Sequence, residues 1–182
     1  MKKTVMLFAE GFEEVEALTV VDLLRRAGIG CDMIALDDTE TVTGSHGISV
    51  RVLGALRSVN LDGYDALLLP GGQPGTNNLA ADERVLDALR RFRAAGKLTA
   101  AICAAPTVLA KAGVLNGCRA VCYPGLEPQL TGSAGGDGPV EVDGTVITSR
   151  GVGTAIPFAL AIVEYYLGGE KARELAHAIV YR

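Results

Sequence analysis

Apolar and polar positions along the chain fall into two alternating patterns. Short apolar runs recur at Thr4–Ala9, Gly30–Leu36, Asp65–Leu69 and Leu98–Ile102. Runs of this length with turn residues at their ends predict buried strands. Between them, Glu14–Ala27 and Asp82–Ala95 carry the helical spacing, and Gly28 and Gly96 stop them. A shorter alternating strand is predicted at Ile48–Leu53 and another at Arg119–Tyr123. Val140–Val142 and Thr145–Thr148 flank Asp143-Gly144, a strong hairpin signal. Gly151–Leu167 and Glu170–Val180 read as two closing helices. Repeated strand–helix units predict an α/β fold. It has three layers: a mostly parallel sheet, helices on both faces, and one small hairpin. With no repeat or linker, 182 residues suit a single domain over 1–182.

Ligands of such sheets bind beyond the carboxyl ends of the strands. Four loops leave strand ends and carry unusual residues: Glu10-Gly11-Phe12, Gly71–Gly75, Cys103–Pro106 and Ser149–Thr154. Cys103 stands between the strand Leu98–Ile102 and a helix opening with Pro106 in its first turn, the pattern of a nucleophile elbow. The helix start is expected to favour thiolate over thiol. A buried packing cysteine is the plainer alternative.

Glu16 is the anomaly of the first helix. It shares its face with Val20, Leu23 and Ala27. A carboxylate in an apolar stripe is costly unless paired or neutral, and desolvation raises its pKa. If this helix packs beside the elbow, Glu16 and Cys103 form an acid–thiolate pair. The alternative is a first-turn glutamate with its head in water, a description that fits Glu13 and Glu14 in full.

Composition excludes more than it selects. Net charge is −4, charged residues make up 21% and apolar residues 49%. That balance gives no footprint for nucleic acid or an anionic membrane. No apolar run has the length of a membrane span, and the opening residues lack a signal peptide's core. A cytoplasmic protein with four free thiols is expected. Neither His46 nor His177 has metal-ligand spacing, so no metal and no cofactor are expected. His46 lies in the turn Gly44-Ser45-His46-Gly47, exposed and not expected to be positioned within its own subunit. Arg150 could hold a substrate carboxylate or a subunit contact. Tyr123 reads as half-buried.

Four motifs stand in order: Glu13-Glu14-Val15-Glu16, Leu69-Pro70-Gly71-Gly72, Ala100–Pro106 and Thr148–Thr154. Together they resemble the ThiJ/PfpI superfamily, in the branch of the human Parkinson-disease-associated deglycase and its bacterial relatives. The resemblance covers nearly the whole chain. It implies a flavodoxin-like fold and a homodimer. It implies an oxidisable nucleophile at Cys103, an acidic partner at Glu16, and oxyanion-type donors at the amides of Gly72 and Ala104. The implied activities are cofactor-free glyoxalase and deglycase chemistry on a small aldehyde or glycated substrate, redox-dependent protection, and chaperone action. Where several members carry a histidine, this chain has Tyr123, which counts against a cysteine peptidase or amidase. His46 aligns with an arginine that approaches the partner's site in relatives, so it is expected to reach Cys103 across the dimer. A redox sensor whose cysteine is oxidised to sulfinic acid is the competing reading. A flavin module is disfavoured because Glu10, Glu13 and Glu14 would repel a phosphate.

Overall fold

The computed structural model describes residues 2–182; Met1 lies outside them. One sheet of seven strands runs through the molecule. In chain order its strands are β1 (Lys3–Phe8), β2 (Gly30–Ala35), β5 (Gly54–Ala55), β6 (Ala66–Leu69), β7 (Leu98–Ile102), β8 (Val140–Asp143) and β9 (Val146–Ser149). The spatial order is β5-β2-β1-β6-β7-β9-β8. Every neighbouring pair is parallel except the hairpin β8–β9. A separate antiparallel ribbon pairs β3 (Thr41–Thr43) with β4 (Ser49–Arg51).

Strand side chains alternate between the two faces, so each apolar run feeds two cores. Val5, Leu7, Leu67 and Leu69 pack with Leu79, Leu89, Phe92 and Leu109. Those partners come from α2 (Gly75–Ala81), α3 (Glu83–Ala94) and α4 (Pro106–Lys111). Met6, Phe8 and Leu68 pack on the other face with Val20, Leu24, Phe158, Ile162 and Leu175. These belong to α1 (Glu14–Arg26), α5 (Ala155–Leu167) and α6 (Gly169–Ala178). The predicted three-layer α/β arrangement is the observed one.

The differences have local causes. Arg119–Tyr123 forms no ladder. Its amides are satisfied one by one instead: Ala120 donates to the Gly135 carbonyl, Val121 to Thr148 Oγ1 and Tyr123 to the Cys103 carbonyl. Cys118 and Cys122 therefore lie on irregular backbone, and all four cysteines are free. The predicted helix at Gly151 begins as a 3-10 turn over Val152–Thr154, with α5 following from Ala155. Strands β3 and β5 and helix α2 carry too few residues for a periodic signal.

Sheet order reverses between β1 and β6, because β2 lies to one side of β1 and β6 to the other. This switch point opens a crevice at the strand carboxyl ends. The loop after β1 leads into α1, the loop after β6 holds Gly71 and Gly72, and Cys103 follows β7. No helix among the described residues is long and apolar enough to cross a membrane.

Candidate active site

Cys103 adopts a left-handed backbone, φ +65°. For a residue with a Cβ that costs ~1–2 kcal/mol. Neighbours on both sides hold it there. Its N–H donates to the Ser149 carbonyl at 3.0 Å, and its carbonyl accepts the Tyr123 N–H at 2.7 Å. The turn lifts Sγ off the strand end, where the amides of Gly72 and Ala104 donate to it. These are the two amides assigned from the resemblance to an oxyanion; here they are aimed at the sulfur.

Glu16 is completely buried. Helix α1 packs on β2 and α5, and the Glu16 carboxyl turns toward the crevice, where it meets the loop after β6. Oε2 accepts the Gly71 N–H at 3.0 Å, and the carboxyl lies beside the Cys103 thiol: a Cβ on Gly71 would meet Oε2 at 2.5 Å and Sγ at 3.1 Å. Oε1 is buried with no hydrogen-bond partner among the described residues. Gly151 lies over it: a Cβ there would be 3.9 Å from Oε1 and 3.6 Å from the Tyr123 ring. An orphaned oxygen is far more costly on a carboxylate than on a carboxylic acid.

Burial pushes the Glu16 carboxyl up to about 7, against the hydrogen bonds from Cys103 and Gly71. Burial also pushes the Cys103 thiol up, to about 12, helped by the charge and hydrogen bond of Glu16 and opposed by the two amides. The expectation that the helix start would lower the thiol pKa is therefore corrected. Helix α4 has only six residues and starts three positions after Cys103, so its dipole is weak at Sγ. Burial and the neighbouring carboxyl prevail. The two causes that come from Glu16 vanish once its carboxyl holds the proton, leaving the sulfur with burial against two N–H donors. The pair thus acts as one unit sharing a proton.

The glycines make the contact possible. A Cβ on Gly71 would fall 2.5 Å from both Cys103 Cβ and Glu16 Oε2. Gly72 has φ +93°, and a Cβ there would collide with the backbone of Phe12 and Glu13. The Glu13 N–H donates to the Gly71 carbonyl at 2.8 Å, locking the two loops together.

The other predicted residues separate. Arg150 pairs with Glu127 at 3.4 Å and braces the loop that follows Tyr123. Tyr123 is more exposed than expected, at 53%, and its ring edges the opening above Glu16. His46 differs most. It is positioned within its own subunit, with Nδ1 3.0 Å from Glu14 Oε2 and 3.4 Å from Glu13 Oε2. Glu14 is not a solvated first-turn residue either: it is 3% exposed. Its Oε1 accepts the N–H groups of His46 and Ile48 at 2.7 and 3.3 Å. Burial pushes Glu14 up, but hydrogen bonds from its own amide, from the His46 side chain and from the amides of His46 and Ile48 bring it down to about 2.

Thr154 closes the fourth motif, and the sequence assigns it no role of its own. Its Oγ1 accepts the N–H groups of Arg150 and Gly151 and meets Ser149 Oγ at 2.7 Å, which shapes the loop beside the site. Threonine three residues after a glycine in a strand–helix loop is the only signal that could have found it.

A doubly wound sheet that presents a cysteine on a left-handed elbow, against a buried carboxyl, defines an elbow-cysteine α/β protein. The DJ-1/PfpI family model matches residues 2–165, and the chain belongs to that family. Protein dj-1beta of Drosophila melanogaster is 41% identical over 98% of this chain and 97% of its own. A protein of Pyrococcus horikoshii named a deglycase is 35% identical over 81% of this chain and 89% of its own. The solved structure of oxidized DJ-1 from Toxoplasma gondii superposes with a TM-score of 0.95 at 36% identity, covering 100% of this chain and 99% of that one.

Proposed function

We propose that this chain is a cofactor-free stress-protection enzyme of the glyoxalase or deglycase type, acting on a small 2-oxoaldehyde or a glycated group. The observation that carries the reading is the buried Glu16 carboxyl set beside the Cys103 thiol, with the Gly72 and Ala104 amides favouring the thiolate of the same sulfur. The deglycase name of the archaeal relative supports it at family level.

In the glyoxalase form, Cys103 attacks the aldehyde carbon of methylglyoxal. An S–C bond forms, the carbonyl pair moves to oxygen, and the shared proton of the pair neutralises the resulting alkoxide. Glu16, now ionised, takes the proton from that carbon, and the electron pair left behind forms an enediolate. Glu16 returns this proton to the neighbouring carbon, and the hydroxyl proton of the first carbon moves to the oxygen of the second, giving a lactoyl thioester. Water then cleaves the S–C bond, releasing lactate and restoring the thiol. The two carbons exchange oxidation level between themselves, so no outside oxidant or reductant enters. A carboxyl with a pKa near neutrality suits both proton steps. Arg150 and Tyr123 would act at the rim rather than on the reacting atoms.

The test is lactate formation from methylglyoxal by purified, metal-free protein. Cys103→Ala should abolish turnover, and Glu16→Gln should lower kcat at least ~100-fold. Full activity in Cys103→Ala would sink the proposal. The same cluster favours a second reading, a redox sensor. Two amides and a carboxyl around one sulfur could also hold the oxygens of a sulfinic acid. Mild peroxide followed by intact mass, with negligible aldehyde turnover, would select that reading. A cytoplasmic homodimer belongs to either one, and sedimentation tests the dimer.

A further inference from the structure

We propose that Glu13, Glu14 and His46 form a binding site for a zinc-like divalent cation, separate from the Cys103–Glu16 pair. The two glutamates open α1 and the histidine sits in the turn between β3 and β4, so no sequence spacing signals the cluster. The fold brings the ligand atoms of all three within 4.8 Å of one another.

The geometry is specific. His46 Nδ1 lies 3.0 Å from Glu14 Oε2 and 3.4 Å from Glu13 Oε2. Ser45 Oγ adds a fourth vertex, at 3.4 Å from Glu13 Oε2, 3.5 Å from Glu14 Oε2 and 3.1 Å from His46 Nδ1. A tetrahedral ion with ligands at ~2.0–2.1 Å spaces those ligands about 3.3–3.4 Å apart. These five spacings, 3.0–3.5 Å, lie close to those of such a shell, with Ser45 or a water as the fourth ligand.

The central ligand is also held in advance. Glu14 Oε1 is occupied by the two backbone N–H groups of the turn, which fixes Oε2 toward the imidazole. Gly44 has no Cβ because the Glu14 carboxyl fills that space. A carboxylate oriented by outer hydrogen bonds is the usual support for a ligating carboxylate. Among the described residues no lysine or arginine pairs with Glu13 or Glu14, so two carboxylates face one imidazole. A cation would displace the proton between Nδ1 and Oε2 and complete the neutralisation. One nitrogen and two carboxylate oxygens suit zinc or copper better than magnesium or calcium.

The experiment uses full-length Cys103→Ala protein, so that the elbow thiol cannot supply a ligand. Titration calorimetry with zinc should show one site, and the cobalt form should show visible bands without a sulfur-to-cobalt band. Glu13→Gln and His46→Ala, each added to that background, should weaken zinc at least ~10-fold while each variant without metal still unfolds in a single cooperative transition. Excess magnesium should not compete. Failure of the parent to bind zinc, undiminished binding in both variants, or equal competition by magnesium would each overturn the proposal. None of these results bears on the carbonyl chemistry of Cys103.

Discussion

Gly71 donates its N–H to Glu16 Oε2 at 3.0 Å, and the same residue leaves the space through which that carboxyl meets Cys103. The donor and the gap are one feature: with a side chain at this position, the amide would still be there but the carboxyl could not be.

Gly71→Ala is therefore expected to damage the site more than the fold. The added methyl would meet Cys103 Cβ and Glu16 Oε2 at 2.5 Å, and one of them must move. Overpacking of this kind costs ~1–3 kcal/mol. The rate of Cys103 alkylation by iodoacetamide should change several-fold and lose its dependence on Glu16. Unchanged alkylation kinetics would mean that the carboxyl does not control the thiol.

Glu16 and Glu14, two residues apart, should give opposite slopes of stability against pH. Glu16 is raised from 4.5 to about 7 by burial, so between these values the folded state holds a proton that the unfolded state has released. Stability from this group is full below pH 4.5 and is lost as pH rises through 7, at ~1.4 kcal/mol per unit, or about 3 kcal/mol in all. Glu14 is lowered to about 2, so its contribution is full above pH 4.5 and lost as pH falls toward 2. Urea unfolding of the parent and of Glu16→Gln at several pH values checks the first slope. The variant should gain on the parent steadily from pH 4.5 to 7, and a constant difference would refute the raised pKa.

The elbow strain predicts an unusual ranking at position 103. Cys103→Ala keeps a Cβ at φ +65°, whereas Cys103→Gly releases it. Despite glycine's cost in the unfolded chain, Cys103→Gly should be at least as stable as Cys103→Ala, by up to ~1 kcal/mol. Thermal melts of the two variants decide the matter, and a clear deficit for glycine would show that the backbone is not strained there.

What the sequence disclosed follows a physical divide. β7 runs from Leu98 to Ile102, as its apolar run predicts, because a strand buried on both faces writes its whole length in apolar residues. Glu16 stood out because a charged residue on an apolar face conflicts with its surroundings, and such a conflict needs no structure to be seen. Arg119–Tyr123 misled because its apolar residues are buried without a ladder, and burial is all that hydrophobicity reports. The clasp of Glu14 on the 44–48 turn was invisible for another reason. Glutamate is unremarkable at a helix start, and its burial depends on a ribbon folding over it from more than thirty residues away.

That clasp makes the last prediction. Glu14 Oε1 accepts the N–H groups of His46 and Ile48 while Oε2 meets the imidazole, so one carboxylate organises the whole turn between β3 and β4. The ribbon has only three residues in each strand and cannot hold itself. It is also tied to the crevice, since the Gly11 N–H donates to the Thr43 carbonyl and the Ser45 N–H to the Phe12 carbonyl. Glu14→Ala should therefore release the amides of His46 and Ile48 to fast hydrogen exchange, at a global cost of ~1–2 kcal/mol. Protection should also fall at Gly11 and Ser45, while the β1 and β6 amides keep theirs. Exchange followed by mass spectrometry reads all of these segments at once. If the turn stayed protected without the carboxylate, the ribbon would have to be held by its own strands, against the short pairing seen here.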